Sequence, residues 1–269
     1  MPFPGRSNSA RSCPSRSSEK CCAVCWWRSE FVRMLFGLMA LAGALALFFG
    51  GMILLLPEWL FSRLRQTSPE VLYRVSVSRP VVALTIDDGP DAATTPQILE
   101  VLRRYDAHAT FFLISSRIAG NQSLVQRMVA EGHELGNHLT VDEPSINLPL
   151  EEFEAKLLQA DAALQPFGGA RWLRPGSGWY NQAMLEVIAR HGYRCALGSV
   201  YPYDPQIGSA WFSARYILWK VKPGDIIVLH DYGSRGRRTA RALAVILPEL
   251  RRRGFKVVTL SELVAQAAP

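Results

Sequence analysis

Four short stretches hold the residues able to do chemistry. Asp87-Asp88-Gly89-Pro90-Asp91 places two adjacent carboxylates before a turn, and His138 is followed four residues on by Asp142. Arg174-Pro175-Gly176-Ser177-Gly178-Trp179-Tyr180 joins a guanidinium to a glycine-rich loop and two aromatics, and His230-Asp231 completes the set. Paired carboxylates, an imidazole with a carboxylate at i+4, an arginine and a second histidine can build a divalent-metal site with an acid and a base beside it. Taken singly, each stretch also has an ordinary structural explanation. Asp88-Gly89-Pro90 is a good turn, His138 and Asp142 suit a helix start, Arg174 suits a strand end, and His230 suits a satisfied position at a rim.

The surrounding pattern supplies the argument for treating them together. Short β-rich runs alternate with segments of helical period: strands at 81–86, 110–114, 134–138, 171–174, 194–197, 226–229 and 256–260, and helices at 98–105, 124–130, 150–164, 182–191 and 239–253. Ile98, Val101, Leu102 and Tyr105, at i, i+3, i+4 and i+7, mark one face of the first helix. A βα repeat predicts a parallel sheet with helices outside. About seven strands within residues 81–269 fit a distorted, incomplete (β/α) barrel, with an open doubly wound sheet as the alternative. In either, working residues sit in loops after the strand C-termini, and all four polar stretches fall there.

These residues resemble the polysaccharide deacetylase family, the NodB homology domain of carbohydrate esterase family 4, over about Val81 to Leu263. Thr85-Ile86-Asp87-Asp88-Gly89-Pro90 is similar to the family's TFDDGP motif, with Ile for Phe. The resemblance makes Asp87 the catalytic base and Asp88 a metal ligand. His138-Leu139-Thr140-Val141-Asp142 matches the HS/TxxH motif with Leu139 for the hydroxyl residue and Asp142 for the second histidine, so the implied ligands are Asp88, His138 and Asp142. Arg174-Pro175-Gly176-Ser177-Gly178 is a loose RxPYG: Arg174 is expected to orient the base, and the backbone N–H of Ser177 to meet the oxyanion. Val228-Leu229-His230 stands for LxH and makes His230 the acid. The intermediate Asp/Trp motif is not recognisable; Asp204 is the candidate for its carboxylate. Trp179 and Tyr180 are placed to stack on a sugar ring, with local packing, the commoner role of aromatics beside a loop, as the alternative.

The implied reaction is hydrolysis of N-acetyl groups on a glycan of the chitin-oligosaccharide or peptidoglycan type, with one divalent ion (Zn, Co or Mn). One imidazole and two carboxylates neutralise a dication, so its bound water is less acidic and harder ions compete better with Zn²⁺. Two other readings stand beside it: a non-catalytic, membrane-anchored carbohydrate binder, and an amidohydrolase for a small non-sugar amide. Asp87, Arg174 and His230, which a pure binder has no need of, favour the enzyme.

Ahead of this domain the chain is of another kind. From Met34 to Leu56, 23 residues carry no charge and no polar side chain. At 1.5 Å per residue they span about 34 Å, enough for a hydrocarbon core of about 30 Å. The segment runs into Pro57-Glu58-Trp59 without a cleavage-like site, so an uncleaved anchor is expected, with 57–80 as connector. Residues 1–33 carry six basic residues against Glu19 and Glu30, are otherwise rich in Ser, Pro and Cys, and are expected to be disordered. The basic flank predicts a single-pass protein with a cytoplasmic N-terminus, an extracytoplasmic catalytic domain, and Trp26, Trp27 and Trp59 at the interfaces. Four of the five cysteines (Cys13, Cys21, Cys22, Cys25) lie in this tail, which leaves Cys195 without an internal partner. The tail also carries four of the seven excess positive charges. No nucleic-acid partner is expected, since the remaining chain is only mildly basic and Arg251-Arg252-Arg253 has no interleaved aromatics.

Overall fold

A computed structural model describes residues 18–55 and 67–267, which belong to two compact units, 1–60 and 61–269. In the first unit a single helix, α1 (Ser18–Leu55), contains an 18-residue window, Phe31–Phe48, of mean hydropathy 2.1 with none of it buried. It is long and apolar enough to cross a membrane. The helix begins well before the apolar stretch, so residues 18–33, expected to be disordered, are helical. No proline or glycine interrupts this part of the chain, and a helix once nucleated propagates through such a sequence. Residues 1–17 and 56–66, with Cys13 and Trp59, lie outside the described residues, as do the side chains of Trp26, Trp27, Cys21, Cys22 and Cys25.

The second unit contains β1 (Val71–Leu72), β2 (Val81–Asp87), α2 (Thr95–Arg104), β3 (Thr110–Leu113), α3 (Gln122–Ala130), β4 (Glu134–Asn137), α4 (Leu150–Leu164) and β5 (Trp172–Leu173). It continues through α5 (Gln182–Arg190), β6 (Arg194–Ala196), α6 (Ala210–Lys220), β7 (Ile226–His230), α7 (Gly233–Arg252), β8 (Lys256–Val258) and α8 (Leu260–Val264). All strand pairs are parallel, in the order β1-β6-β5-β4-β3-β2-β7, with β8 joined to the start of β2. The two ends approach each other through isolated bridges, Val200 to Ile227 and Arg74 to Asp225. The result is the distorted, incomplete barrel expected.

Three elements were not foreseen, the third being the short α8, which starts at the last residue of the strand expected over 256–260. β1 falls inside the expected connector and pairs Val71 with Cys195, giving an eighth strand. The apolar stripe of α6, Ala214, Ile217 and Leu218, is blurred in the sequence because two large apolar residues, Trp211 and Trp219, lie on the outward face at 73% and 64% exposure.

The alternation along β2 explains how the fold positions chemistry. Val82, Leu84 and Ile86 face outward into the larger core against α2, α6 and α7, whereas Val81 and Ala83 face inward with Phe112, Trp172 and Ala196. The inward column continues with Thr85 and ends with Asp87, so one strand face turns from apolar to polar on reaching the C-terminal rim. Cys195 is buried as a free thiol.

Candidate active site

The strand ends carry the site. Asp87 and His230, the last residues of β2 and β7, are direct register partners, and the Asp231 N–H donates to the Asp87 carbonyl at 2.7 Å. His138 and Arg174 each follow the last residue of their strand, β4 and β5. Asp88 (φ 72°) and Ser177 (φ 60°) sit in the left-handed region, a backbone state L-residues rarely adopt and one concentrated at functional sites. Asp87, Asp88, His138, Asp142, Arg174, Ser177, Trp179 and His230 all line one cleft of about 510 Å³.

Arg174 is buried, and each of its three nitrogens donates a hydrogen bond. Its Nη1 donates to Asp87 Oδ1 at 2.5 Å and to Thr85 Oγ1 at 2.9 Å, its Nε to the Ala196 carbonyl at 3.0 Å and its Nη2 to the Leu197 carbonyl at 2.7 Å. The guanidinium also covers the ring of Phe112 at 4.2 Å. This fork fixes one oxygen of Asp87 and leaves the other for a proton.

Asp204 is buried against His230. Its Oδ1 and Oδ2 lie 3.0 and 3.1 Å from His230 Nδ1, and Oδ2 accepts from the His230 N–H at 3.2 Å. Nδ1 is thereby the protonated nitrogen facing Asp204, and Nε2 is the one left for the cleft. Burial works to lower the pKa of His230, but the Asp204 charge and hydrogen bond, helped by Asp87 and Asp88, override it and push the value up to about 9.

Asp88 and His138 meet as donors to one ion would. His138 Nδ1 lies 2.7 Å from the Arg174 carbonyl, which fixes the proton there and leaves a lone pair on Nε2. Nε2 is 3.6 Å from Asp88 Oδ1. Two donors bound to one divalent ion at about 2.1 Å are about 3.4 Å apart in tetrahedral geometry, so this pair fits. Burial, chiefly, raises the pKa of Asp88, with His138 and His230 opposing and Asp87 and Asp142 adding to it. Asp142 stands differently: its Oδ2 is 3.0 Å from Nη2 of Arg235, whose Nη1 is 2.8 Å from Asp88 Oδ2. Among the described residues no three His, Cys, Asp or Glu side chains converge on one point.

Other expected residues divide. Trp179 is 68% exposed at the cleft, whereas Tyr180 turns away: its hydroxyl bonds Tyr73 at 2.5 Å and its ring packs on the small core around Leu139 and Leu173. Adjacent residues of extended chain point to opposite sides, so only one of the two aromatics reaches the cleft. His108, His133 and His191 lie outside it; His191 Nε2 meets Glu154 at 2.6 Å, and burial pushes His133 down to about 4.

Two positions that shape the cleft were given no role by the sequence reading: Asp231, noted only as the neighbour of His230, and Arg235. Asp231 is buried and accepts from the hydroxyls of Thr94 and Thr95, tying the loop after β2 to the start of α7. Arg235 was passed over as one of many arginines. Its signal was local: α7 opens with arginines and no acidic residue in its first turn, against the preference set by the helix dipole.

A proton acceptor and a proton donor across one cleft, with hard donor atoms beside them, equip a hydrolase. The comparisons say which. A family model described as polysaccharide deacetylase matches residues 74–196. The peptidoglycan-N-acetylglucosamine deacetylase of Bacillus cereus is 36% identical over 197 residues, 72% of this chain and 92% of that protein. A chitooligosaccharide deacetylase of Bradyrhizobium is 34% identical over 197 residues, covering 68% and 90%. The structure of a family 4 acetyl xylan esterase from Clostridium thermocellum, in complex with a cobalt ion, matches with a TM-score of 0.64 at 29% identity, over 69% of this chain and 90% of that one. The chain belongs to the polysaccharide deacetylase family.

Proposed function

We propose that this protein is a membrane-anchored, metal-dependent N-deacetylase of an N-acetylated glycan, peptidoglycan or chitin oligosaccharide. The observation that carries the reading is the division of labour between Asp87 and His230. Neighbouring strand ends hold them in register, one clamped by a guanidinium and the other by a carboxylate.

Asp87, held by Arg174 through Oδ1, takes the proton of the attacking water on its other oxygen. The Ser177 N–H, on the glycine-rich loop, meets the charge that develops on the acetyl oxygen. His230, held protonated by Asp204, gives the Nε2 proton to the departing amine. Trp179 offers a flat apolar face to a sugar ring. Asp88, His138 and Asp142 are the residues that would hold a divalent ion, Zn, Co or Mn, which supplies Lewis-acid polarisation of the acetyl carbonyl and of water. The apolar window of α1 and the basic flank before it support a single-pass arrangement with the catalytic domain outside the cytoplasm.

Acetate release from chitin oligomers and from peptidoglycan, with and without added metal, tests this. Metal-dependent release from either supports the proposal. Release from neither, with metal binding intact, favours a glycan-binding role, and release only from small acetamides favours a general amidohydrolase.

A further inference from the structure

Arg235 occupies the space between the two carboxylates assigned to the metal. One guanidinium nitrogen is 2.8 Å from Asp88 Oδ2 and the other 3.0 Å from Asp142 Oδ2, while Asp88 keeps its Oδ1 toward His138. We propose that Arg235 is a tethered cation that competes with the metal ion for Asp88 and Asp142, and so sets how tightly the centre binds its metal. The inference rests on the metal-dependent reading above and concerns the residue that opposes loading.

Three observations carry it. First, charge: Asp88 is almost fully buried beside Asp87, whose own countercharge is Arg174, and a second carboxylate in low dielectric requires another, while Asp142 stands at the exposed end of the same cleft. Arg235 supplies one, and a dication on the same oxygens makes it superfluous. Second, the seat is built. A Cβ added to Gly236 would stand 2.4 Å from both Asp231 Oδ1 and Thr94 Oγ1, so only glycine lets the first turn of α7 pack this close. The Gly233 N–H donates to Asp91 Oδ2 at 3.0 Å, which locks the same turn and aims Arg235 at Asp88. Third, the guanidinium can leave. The Arg235 side chain is 28% exposed at the cleft, and its own helix end repels it through the dipole. Its hydrogen bonds go to these two carboxylates, and an ion that neutralises them releases it.

A protein whose binding-competent form is only a fraction of the population shows its affinity reduced by that fraction. Removing the tethered cation therefore tightens metal binding. The test titrates the full-length protein in detergent with Co²⁺, read from its visible absorption, for wild type, Arg235→Met and Arg235→Gln. At least one of the two variants is expected to fold to the wild-type circular dichroism spectrum and to bind Co²⁺ about tenfold more tightly or better. Adding Asp142→Asn to that variant is expected to erase the gain. After chelation, thermal unfolding of the wild type should change little, whereas Arg235→Met should melt earlier and regain its midpoint with Co²⁺. Equal or weaker Co²⁺ binding by folded variants, while the wild type binds Co²⁺ and releases acetate, overturns the competition alone. Absence of Co²⁺ binding by wild type and variants alike overturns the metal assignment and the competition together.

Discussion

Replacing Asp204 with Asn should disarm the proton donor without moving it. Asn keeps the size of the side chain and one oxygen to accept the His230 N–H, but removes the charge that holds the imidazolium against burial. With that charge the His230 pKa stands at about 9; without it burial dominates, and the value should fall to 6.5 or below. At pH 8 an imidazole of pKa about 9 is about nine-tenths protonated, and one of 6.5 about 3%, so the acid form declines about thirtyfold. The fall represents about 3 kcal/mol of lost preference for the imidazolium. Stability should follow the same sign. The folded-state pKa exceeds the unfolded value, so His230 contributes stability that is complete below about pH 6.5 and is lost as pH rises through about 9. Two measurements decide: the NMR titration of the His230 ring, and the alkaline limb of the pH–rate profile. Both should move down by about two pH units or more in Asp204→Asn, and the stability loss between pH 6.5 and 9 should disappear. A ring that still titrates near 9, or an unmoved alkaline limb, refutes the electrostatic account.

Further outcomes are expected at other positions. Arg174→Met leaves the buried Asp87 charge uncompensated and should cost about 3–5 kcal/mol in denaturant unfolding; a loss below about 1 kcal/mol would show that Asp87 has another counterion. Asp142→Ala should abolish metal binding while Asp142→His preserves it, as elemental analysis of the purified variants will report; full occupancy in the alanine variant removes Asp142 from the centre. Trp179→Ala, at an exposed position, should raise KM for oligomeric substrate about two- to tenfold, from the 0.5–1.5 kcal/mol of an aromatic contact, with Tm unchanged. An equal fall in kcat would place Trp179 in the chemistry instead.

The residues that announced the fold were those with no freedom to mislead. β2 is buried along its whole length and opens on the apolar run Val81–Leu84, and the bounds 150–164 expected for α4 match the helix. α6 was illegible because its outward Trp211 and Trp219 spoil the apolar period. β1 was illegible because two residues carry no period at all. At the site, Asp87, His138, Arg174 and His230 could be placed from their positions at strand ends. Asp204 needed tertiary contact to be tied to His230, since it comes from the irregular segment between β6 and α6. Tyr180 was misassigned because neighbouring aromatics were read as equivalent, although alternation sends one inward. Arg235 was hidden by number, one basic residue in a helix start full of them.

The pairing of Asp87 with His230 across adjacent strands has an evolutionary corollary. Parallel neighbours lie about 4.8 Å apart whatever the connecting segments do, so the gap between proton acceptor and proton donor is inherited from backbone ladder geometry. Peripheral loops are then free to lengthen, shorten or exchange aromatics in search of new polymers, and a descendant can change its diet without retuning its proton relay.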